Sequence, residues 1–202
     1  MAPEGEPDLV EDGLVGDGLV VTPSQTVGPF FHFCLPYAAG PRVVAADAPG
    51  AVRLFGRVLD GQGAPVPDSL VEIWQAGPDG RFVDRPGIYA EPVGFRGFGR
   101  APTDADGGYG FVTLKPGAVP TLDGTAQAPH IAMAVFARGM LRHLITRVYF
   151  DDEPTANQHD PLLTQVGDRA DTLLAAHTEH GYRFDVHIQG DQETVFLDVF
   201  AR

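Results

Sequence analysis

The sequence predicts an all-β protein: a two-sheet antiparallel β-sandwich with long loops, one short helix and an extended N-terminal arm. Three observations carry that expectation. The 25 glycines and 18 prolines fall between short apolar runs rather than in one block, which is the punctuation of a chain with many turns. The runs themselves are rich in Val, Ile, Leu, Phe and Tyr, the composition of strands. Only one stretch has helical periodicity, and one helix cannot cover both faces of a large sheet, so two sheets must pack on each other.

Taken in order, the expected strands are Val52 to Leu59, Leu70 to Gln75, Tyr109 to Leu114, His130 to Phe136, His143 to Phe150, Tyr182 to Gln189 and Glu193 to Phe200. Between them Asp60-Gly61, Pro78-Asp79-Gly80, Asp106-Gly107 and Gly190-Asp191 supply residues that tolerate positive φ or preset it, and strands joined by such turns favour antiparallel pairing. The helix is expected from about Gly167 to His177, where Ala170, Leu173, Leu174 and His177 share a face. Two regions resist the pattern. Residues 78 to 104 hold too many Gly, Pro and Arg for a regular strand and read as a long surface excursion, and TPSQTVGPFF at Thr22 to Phe31 reads as an extended arm lying on something.

The chain is 202 residues long, enough for one substantial core. Residues 1–21 are expected to form a flexible acidic N-terminus, with residues 22–202 as the sandwich domain. A net charge of -13, from 27 acidic and 14 basic side chains, repels phosphate backbones and anionic lipid, so nucleic-acid and membrane partners are not expected. No apolar run approaches the roughly 20 residues that span a bilayer. Cys34 is the single cysteine, which forbids an internal disulfide and cysteine-rich zinc sites. The first residues carry acid where a secretory signal needs Lys or Arg, so a cytoplasmic location is expected.

No G-x-S-x-G elbow, P-loop or H-E-x-x-H is present. Asp151 to Glu153 could ligate a hard cation but reads as a solvated turn. The histidine of QAPHIAMAVFARG is either half of a metal site or an ordinary strand residue. His130, Ala132, Ala134 and Phe136 share one face. A strand that binds metal commonly offers donors at i and i+2, and the i+2 methyl group of Ala132 can ligate nothing.

Together, TPSQTVGPF at Thr22 to Phe30, GRVLDGQGAPVPDSLVEIWQAGPDGRF at Gly56 to Phe82, TDADGGYGFVTLKPG at Thr103 to Gly117, APHIAMAVFARG at Ala128 to Gly139, LITRVYFDDE at Leu144 to Glu153 and YRFDVHIQGDQETVFLDVF at Tyr182 to Phe200 resemble the intradiol ring-cleavage dioxygenases. Their order and spacing make the resemblance specific. It implies a non-haem Fe(III) held by two tyrosines and two histidines, one tyrosine in a K-P-G-x-Y-P stretch and the histidines in an H-x-H strand. Phenolate is a hard anionic donor suited to Fe(III), and imidazoles complete the set. Here the stretch reads KPGAVP, so Val119 stands where that phenolate would be, and Ala132 stands at the second imidazole. His130 matches the first histidine and Tyr89 is matched to the other tyrosine.

The resemblance therefore implies the α type of chain in a two-subunit enzyme. No iron and no catalytic residue is expected in this chain alone, with Fe(III) carried by a catalytic β subunit. The substrates implied are a catechol carboxylate and O2, and a higher hetero-oligomer is expected. Thr26, Gly28 and Pro29 match residues of the family's α arm that approach the partner's substrate pocket, and residues 22–50 are expected to contact that partner. Phe30 follows Gly-Pro where related α chains often carry tyrosine, so that hydroxyl is lost. Arg138 matches an α-chain arginine near the same pocket, where its fixed charge and planar donors suit a carboxylate. Two other readings stay open at this point. One is a self-sufficient metalloenzyme with Tyr109, Tyr149 or His143 as replacement donors; the other is a non-enzymatic β-sandwich binding module, because fold alone does not choose function.

Overall fold

A computed structural model describes residues 14–15, 19–20, 25–26, 28, 30–83, 92, 94–121 and 124–199. In chain order the strands are β1 Leu14–Val15, β2 Leu19–Val20, β3 Ala51–Leu59, β4 Leu70–Gln75, β5 Phe98–Pro102, β6 Gly108–Leu114, β7 Val119–Pro120, β8 Ala126–Gln127, β9 His130–Phe136, β10 Leu144–Phe150, β11 Leu174–Thr178, β12 Gly181–Arg183 and β13 Val186–His187. The helices are α1 Phe31–Cys34, α2 Pro154–Gln158 and α3 Pro161–Val166, followed by a 3-10 helix at Gly167–Leu173.

Nine strands form one continuous ladder in the order β13, β3, β12, β11, β10, β9, β4, β5, with β6 on the other edge of β3. The ladder folds back so that its two halves face each other across one core. Leu54 and Phe111 come from β3 and β6, Val71 and Ile73 from β4, and Ile131, Met133 and Val135 from β9. Alternation explains the arrangement: in β6 and β9 the inward residues are buried and their neighbours are less so, as period-two side-chain direction requires. A smaller cluster of Ala128, Tyr149, Leu163 and Leu173 packs α3 and the 3-10 helix on the outward face of β9 and β10. Among the described residues no helix is long and apolar enough to cross a membrane.

The all-β sandwich expectation holds, with local differences that have physical causes. Three pairings are parallel, β3 with β12, β3 with β13, and β10 with β11. Parallel neighbours need a crossover, and the segment carrying α2, α3 and the 3-10 helix supplies one between β10 and β11. The helix expected over Gly167 to His177 is a 3-10 turn to Leu173 and then a strand. Gly167 at φ 63 ends α3, and Leu173 and Ala175 are buried while Ala176 is exposed, a period of two that suits pairing of Tyr149 with Leu174.

The expected strand at 182 to 189 keeps one register against β3 but is interrupted at Phe184 and Asp185. There the Asp185 carboxylate, rather than a carbonyl, accepts the Arg57 backbone N–H at 3.0 Å. Residues 193 to 199 run without a ladder, because side chains take the bonds: Thr146 Oγ1 donates to the Val195 carbonyl at 2.7 Å and Thr172 Oγ1 accepts from Val195 N at 3.2 Å. The excursion at 78 to 104 contains β5, whose Gly99 and Ala101 alternate inward and which pairs along β4 from Leu70 to Trp74. The N-terminal expectation for residues 1–21 falls largely outside the described residues.

Candidate functional site

Two places bear on the sequence-derived positions. The first lies where the arm meets the β9–β10 connection. Thr26 Oγ1 accepts the backbone N–H of Gly139 at 3.1 Å and that of Gly28 at 3.5 Å. Gly28 takes φ +72 with open space where a Cβ would be, a left-handed conformation that costs glycine little. Arg138, next to the Gly139 contact, places Nε 2.7 Å from Asp68 Oδ2 and is 66% exposed. Such an exposed pair is worth about 0 to 1 kcal/mol, so it presents the guanidinium rather than locking it. Beside it is a cavity of about 200 Å³ lined by Gln25, Phe136, Met140, Leu141, Arg142 and His143. Phe30, 73% exposed, opens α1, its carbonyl accepting from Cys34 N at 3.0 Å. Thr26, Gly28 and Arg138, 110 residues apart in the sequence, are thus brought together. Pro29 lies outside the described residues.

The second place comprises the outward face of β4, β9 and β10, which carries Ala132, and the β7–β8 hairpin, which carries Val119. Ala132 sits between Trp74 on β4 and Arg147 on β10. Val119 is on β7, opposite Gln127. The KPGAVP loop docks through backbone: Gly117 N donates to the Gly77 carbonyl at 2.9 Å, and a Cβ on Gly80 would lie 2.1 Å from the Ala118 carbonyl oxygen. Lys115 anchors the loop's start, with Nζ 2.8 Å from Asp152 and 2.6 Å from Glu153 and the amine over the Phe150 and Tyr182 rings. Burial opposes the Lys115 charge, but the hydrogen bonds to Asp152 and Glu153 outweigh it and raise its pKa.

His130 is buried, and its Nδ1 lies 2.8 Å from the Ala128 carbonyl. A carbonyl can only accept, so Nδ1–H donates. Burial, followed by the effect of Arg147, holds the imidazole below its ordinary pKa despite the Ala128 bond and nearby Asp160, so the ring is neutral at pH 7. Its neighbour Tyr149, ring centroids 5.5 Å apart, donates to Asp160 Oδ1 at 3.0 Å. At the matched positions among the described residues, one imidazole nitrogen is the available donor, because Val119 and Ala132 offer hydrocarbon. That set does not fit a four-donor iron centre. Tyr89 lies outside the described residues. Phe82 is a position that sequence reading missed: its ring stacks on Trp74 with centroids 6.4 Å apart, on the strand face that carries Ala132. The contact closes across the Pro78-Asp79-Gly80 turn, and no periodicity in the sequence signals it.

The replacement donors of a self-sufficient centre do not converge. The Tyr109 hydroxyl donates to the Phe184 carbonyl at 2.5 Å, Tyr149 is engaged by Asp160, and His143 stacks on Phe136 at 4.9 Å. Among the described residues no group of three or more His, Cys, Asp or Glu is placed to hold a metal ion. Burial pushes the Tyr149 phenol up to about 12, with Arg147 opposing and Asp160 adding to the rise. A raised pKa means that the folded chain holds this proton more tightly than the unfolded chain, so the contribution is full below pH about 10 and is lost through about 12. Urea titrations across that window are expected to show falling stability, with a shallower fall for Tyr149→Phe; equal slopes would remove this assignment.

A family model described as Dioxygenase matches residues 27–190. The protocatechuate 3,4-dioxygenase alpha chain of Pseudomonas putida is 43% identical over 195 residues, covering 88% of this chain and 96% of that one. The corresponding beta chain of Burkholderia cepacia is 36% identical over 156 residues, covering 71% of this chain and 66% of that one. Among solved structures, the dioxygenase domain of a carbohydrate-binding fusion protein from Streptomyces sp. SirexAA-E aligns with TM-score 0.52 at 26% identity, covering 84% of this chain and 98% of that one. With a family match over most of its length and an alpha-chain relative covered nearly end to end, the chain belongs to the intradiol ring-cleavage dioxygenases.

Proposed function

We propose that this chain is the α subunit of a protocatechuate 3,4-dioxygenase, bearing no iron itself and completing the pocket of a catalytic β subunit that holds Fe(III). The assembled enzyme cleaves protocatechuate with O2 between its two hydroxyl-bearing carbons, giving 3-carboxy-cis,cis-muconate, and both oxygen atoms enter the product. The observation that carries the reading is a contrast within one molecule. Hydrocarbon stands at Val119 and Ala132, while the arm positions Thr26 and Gly28 meet the β9–β10 connection beside the exposed Arg138.

On this reading the chain supplies wall and field. Gly28, Pro29 and Phe30 bring backbone close to the partner's pocket; glycine permits the close approach and proline fixes its path. Thr26 pins the arm to the β9–β10 connection. Arg138 offers a planar charge to the substrate carboxylate, which offsets the repulsion of an anion by a chain of net charge -13. His130 stays a buried neutral imidazole bonded to the Ala128 carbonyl just ahead of its strand.

The test expresses the chain with and without a catalytic partner and measures iron content and oxygen uptake with protocatechuate. The isolated chain is expected to hold substoichiometric iron and show no uptake, and co-expression is expected to give both. In the complex, Arg138→Ala is expected to raise KM about tenfold, equivalent to about 1.4 kcal/mol, with a smaller change in kcat. Stoichiometric iron with a tyrosinate-to-iron absorption band in the isolated chain would defeat the proposal, and unchanged steady-state constants would remove the role of Arg138.

A further inference from the structure

The largest groove of the molecule, about 940 Å³, lies away from both places described above, on the outward face of β3, β6 and β12. Strand register orders that face: Arg53 stands opposite Val112, Phe55 between Arg183 and Gly110, and Arg57 opposite Gly108. The three arginines are exposed and Phe55 is half-buried. The Arg183 guanidinium lies 2.7 Å from Asp185 Oδ2, and Asp185 Oδ1 accepts the Arg57 backbone N–H at 3.0 Å. Asp104 Oδ1 accepts from Asp106 N and Gly108 N. The Arg53 guanidinium lies over the Phe55 ring at 5.6 Å, and neither it nor that of Arg57 meets a carboxylate among the described residues.

Backbone is open beside these side chains. Val58 N donates to the Gly107 carbonyl at 2.9 Å, so alternation turns the bonds of 109, 111 and 113 toward β3 and those of 108, 110 and 112 toward the other edge of β6. At that edge Gly108 exchanges bonds with Asp104, its N–H reaching Oδ1 at 2.7 Å and its carbonyl accepting Asp104 N at 2.9 Å. Val112 N donates to the Pro41 carbonyl at 2.9 Å, and the Val112 carbonyl accepts Val43 N at 2.8 Å. Gly110, between them, meets no strand on that side among the described residues. Its N–H and C=O open into the groove, whose lining includes Pro41 and Pro102, residues with no N–H to close the gap.

The two features together select the occupant. Guanidiniums without partners call for carboxylates, and on a chain of net charge -13 such a basic face is local. A small anion would take the Gly110 N–H but be repelled by the carbonyl beside it. An extended peptide unit satisfies both, because it brings an acceptor and a donor of its own. Positions 53 and 57 lie about 13 Å apart along β3, so the acids belong on either side of the residue that pairs with Gly110, and that residue meets Phe55.

We propose that this groove binds an extended acidic segment of another protein, one residue exchanging backbone bonds with Gly110 while carboxylates on either side meet Arg53 and Arg57. The proposal does not depend on the catalytic reading above. Its test titrates the full chain into the peptide Thr-Glu-Thr-Val-Thr-Glu-Thr, capped at both ends and carrying a neutral dye, and reads fluorescence anisotropy at low ionic strength.

Saturable binding is expected. Arg53→Gln with Arg57→Gln, both at exposed positions, should weaken it at least about tenfold, and so should glutamine in place of both peptide glutamates. Methylating the valine nitrogen of the peptide removes the donor for the Gly110 carbonyl and should weaken binding about threefold or more. Absence of saturable binding up to about 1 mM, which is the weak end of specific affinity, would overturn the proposal, as would affinity indifferent to the arginines, the glutamates or the methyl group. Citrate displacing the peptide at equal carboxylate concentration would make the groove a small-anion site, and self-association of the chain that disappears in the double variant would make the occupant a second copy; either result overturns the proposal too.

Discussion

Asp160→Ala is expected to destabilise the chain by about 3 to 5 kcal/mol, although residue 160 touches no proposed substrate or partner. The carboxylate is fully buried and serves four donors at once. Oδ1 accepts from Leu162 N at 2.9 Å, Leu163 N at 3.1 Å and the Tyr149 hydroxyl at 3.0 Å, while Oδ2 accepts from Ala128 N at 2.9 Å. It is the N-cap of α3, with Pro161 in the first turn. Losing a cap alone costs about 1 kcal/mol. Each further buried donor left unpaired costs about 1 to 3 kcal/mol, and water entering the space relieves part of that.

Asp160→Asn separates geometry from charge. Its oxygen can keep the cap, but its amide turns a donor toward Ala128 N–H, so about 1 to 2 kcal/mol is expected. Denaturant unfolding reads both. A loss below about 1 kcal/mol for Asp160→Ala would mean that the network is ornamental to stability. The functional consequence is indirect: without the network Ala128 and Tyr149 lose their anchor, and with them the carbonyl and ring that fix His130.

Why this network escaped sequence reading is instructive. Asp160 stands before Pro161 in QHDPLL, a helix-start signal, but a five-residue and a six-residue helix are too short for periodicity to register. The strands were legible because β-branched and aromatic residues concentrate over six or more positions, with alternating burial in HIAMAVF and an apolar-rich run in LITRVYF. β5 was hidden because Gly99 and Pro102 dilute the pattern, and its pairing with β4 is a tertiary fact. At Leu173 to Ala176 the short apolar run suits helix or strand alike, and the free edge of β10 decides for strand.

The candidate site shows the same division. Val119 and Ala132 could be read as lost donors because motif spacing is a property of the chain. The meeting of Thr26 with Gly139 spans 113 positions and is invisible without a fold. The Arg53, Phe55 and Arg57 face required knowing that Gly110 lies opposite Phe55.

Gly56→Ala is expected to cost about 3 kcal/mol or more, through a contact that no alternation rule forecasts. A Cβ at this position would lie 1.7 Å from the Phe184 carbonyl oxygen and 2.5 Å from its carbon. No side chain can swing away, so the relief must come from backbone, and overpacking of that kind exceeds the usual 1 to 3 kcal/mol. Shifting Phe184 breaks two bonds, its N–H to the Phe55 carbonyl at 2.8 Å and its carbonyl's bond from the Tyr109 hydroxyl. It also displaces Arg183 and Asp185 from the arginine-lined groove. For a chain of this size a loss of 3 kcal/mol lowers Tm by roughly 6 to 12 °C. Gly110→Ala, on the adjacent strand β6 and on the opposite face of the sheet, supplies the contrast. Its Cβ would meet Phe55 Cβ at an ordinary 3.8 Å, and alanine loses less backbone freedom on folding than glycine. A change within about 1 kcal/mol of zero is expected there. Similar losses for the two substitutions would mean that general glycine demand in the sheet, rather than the Phe184 crossing, sets the cost.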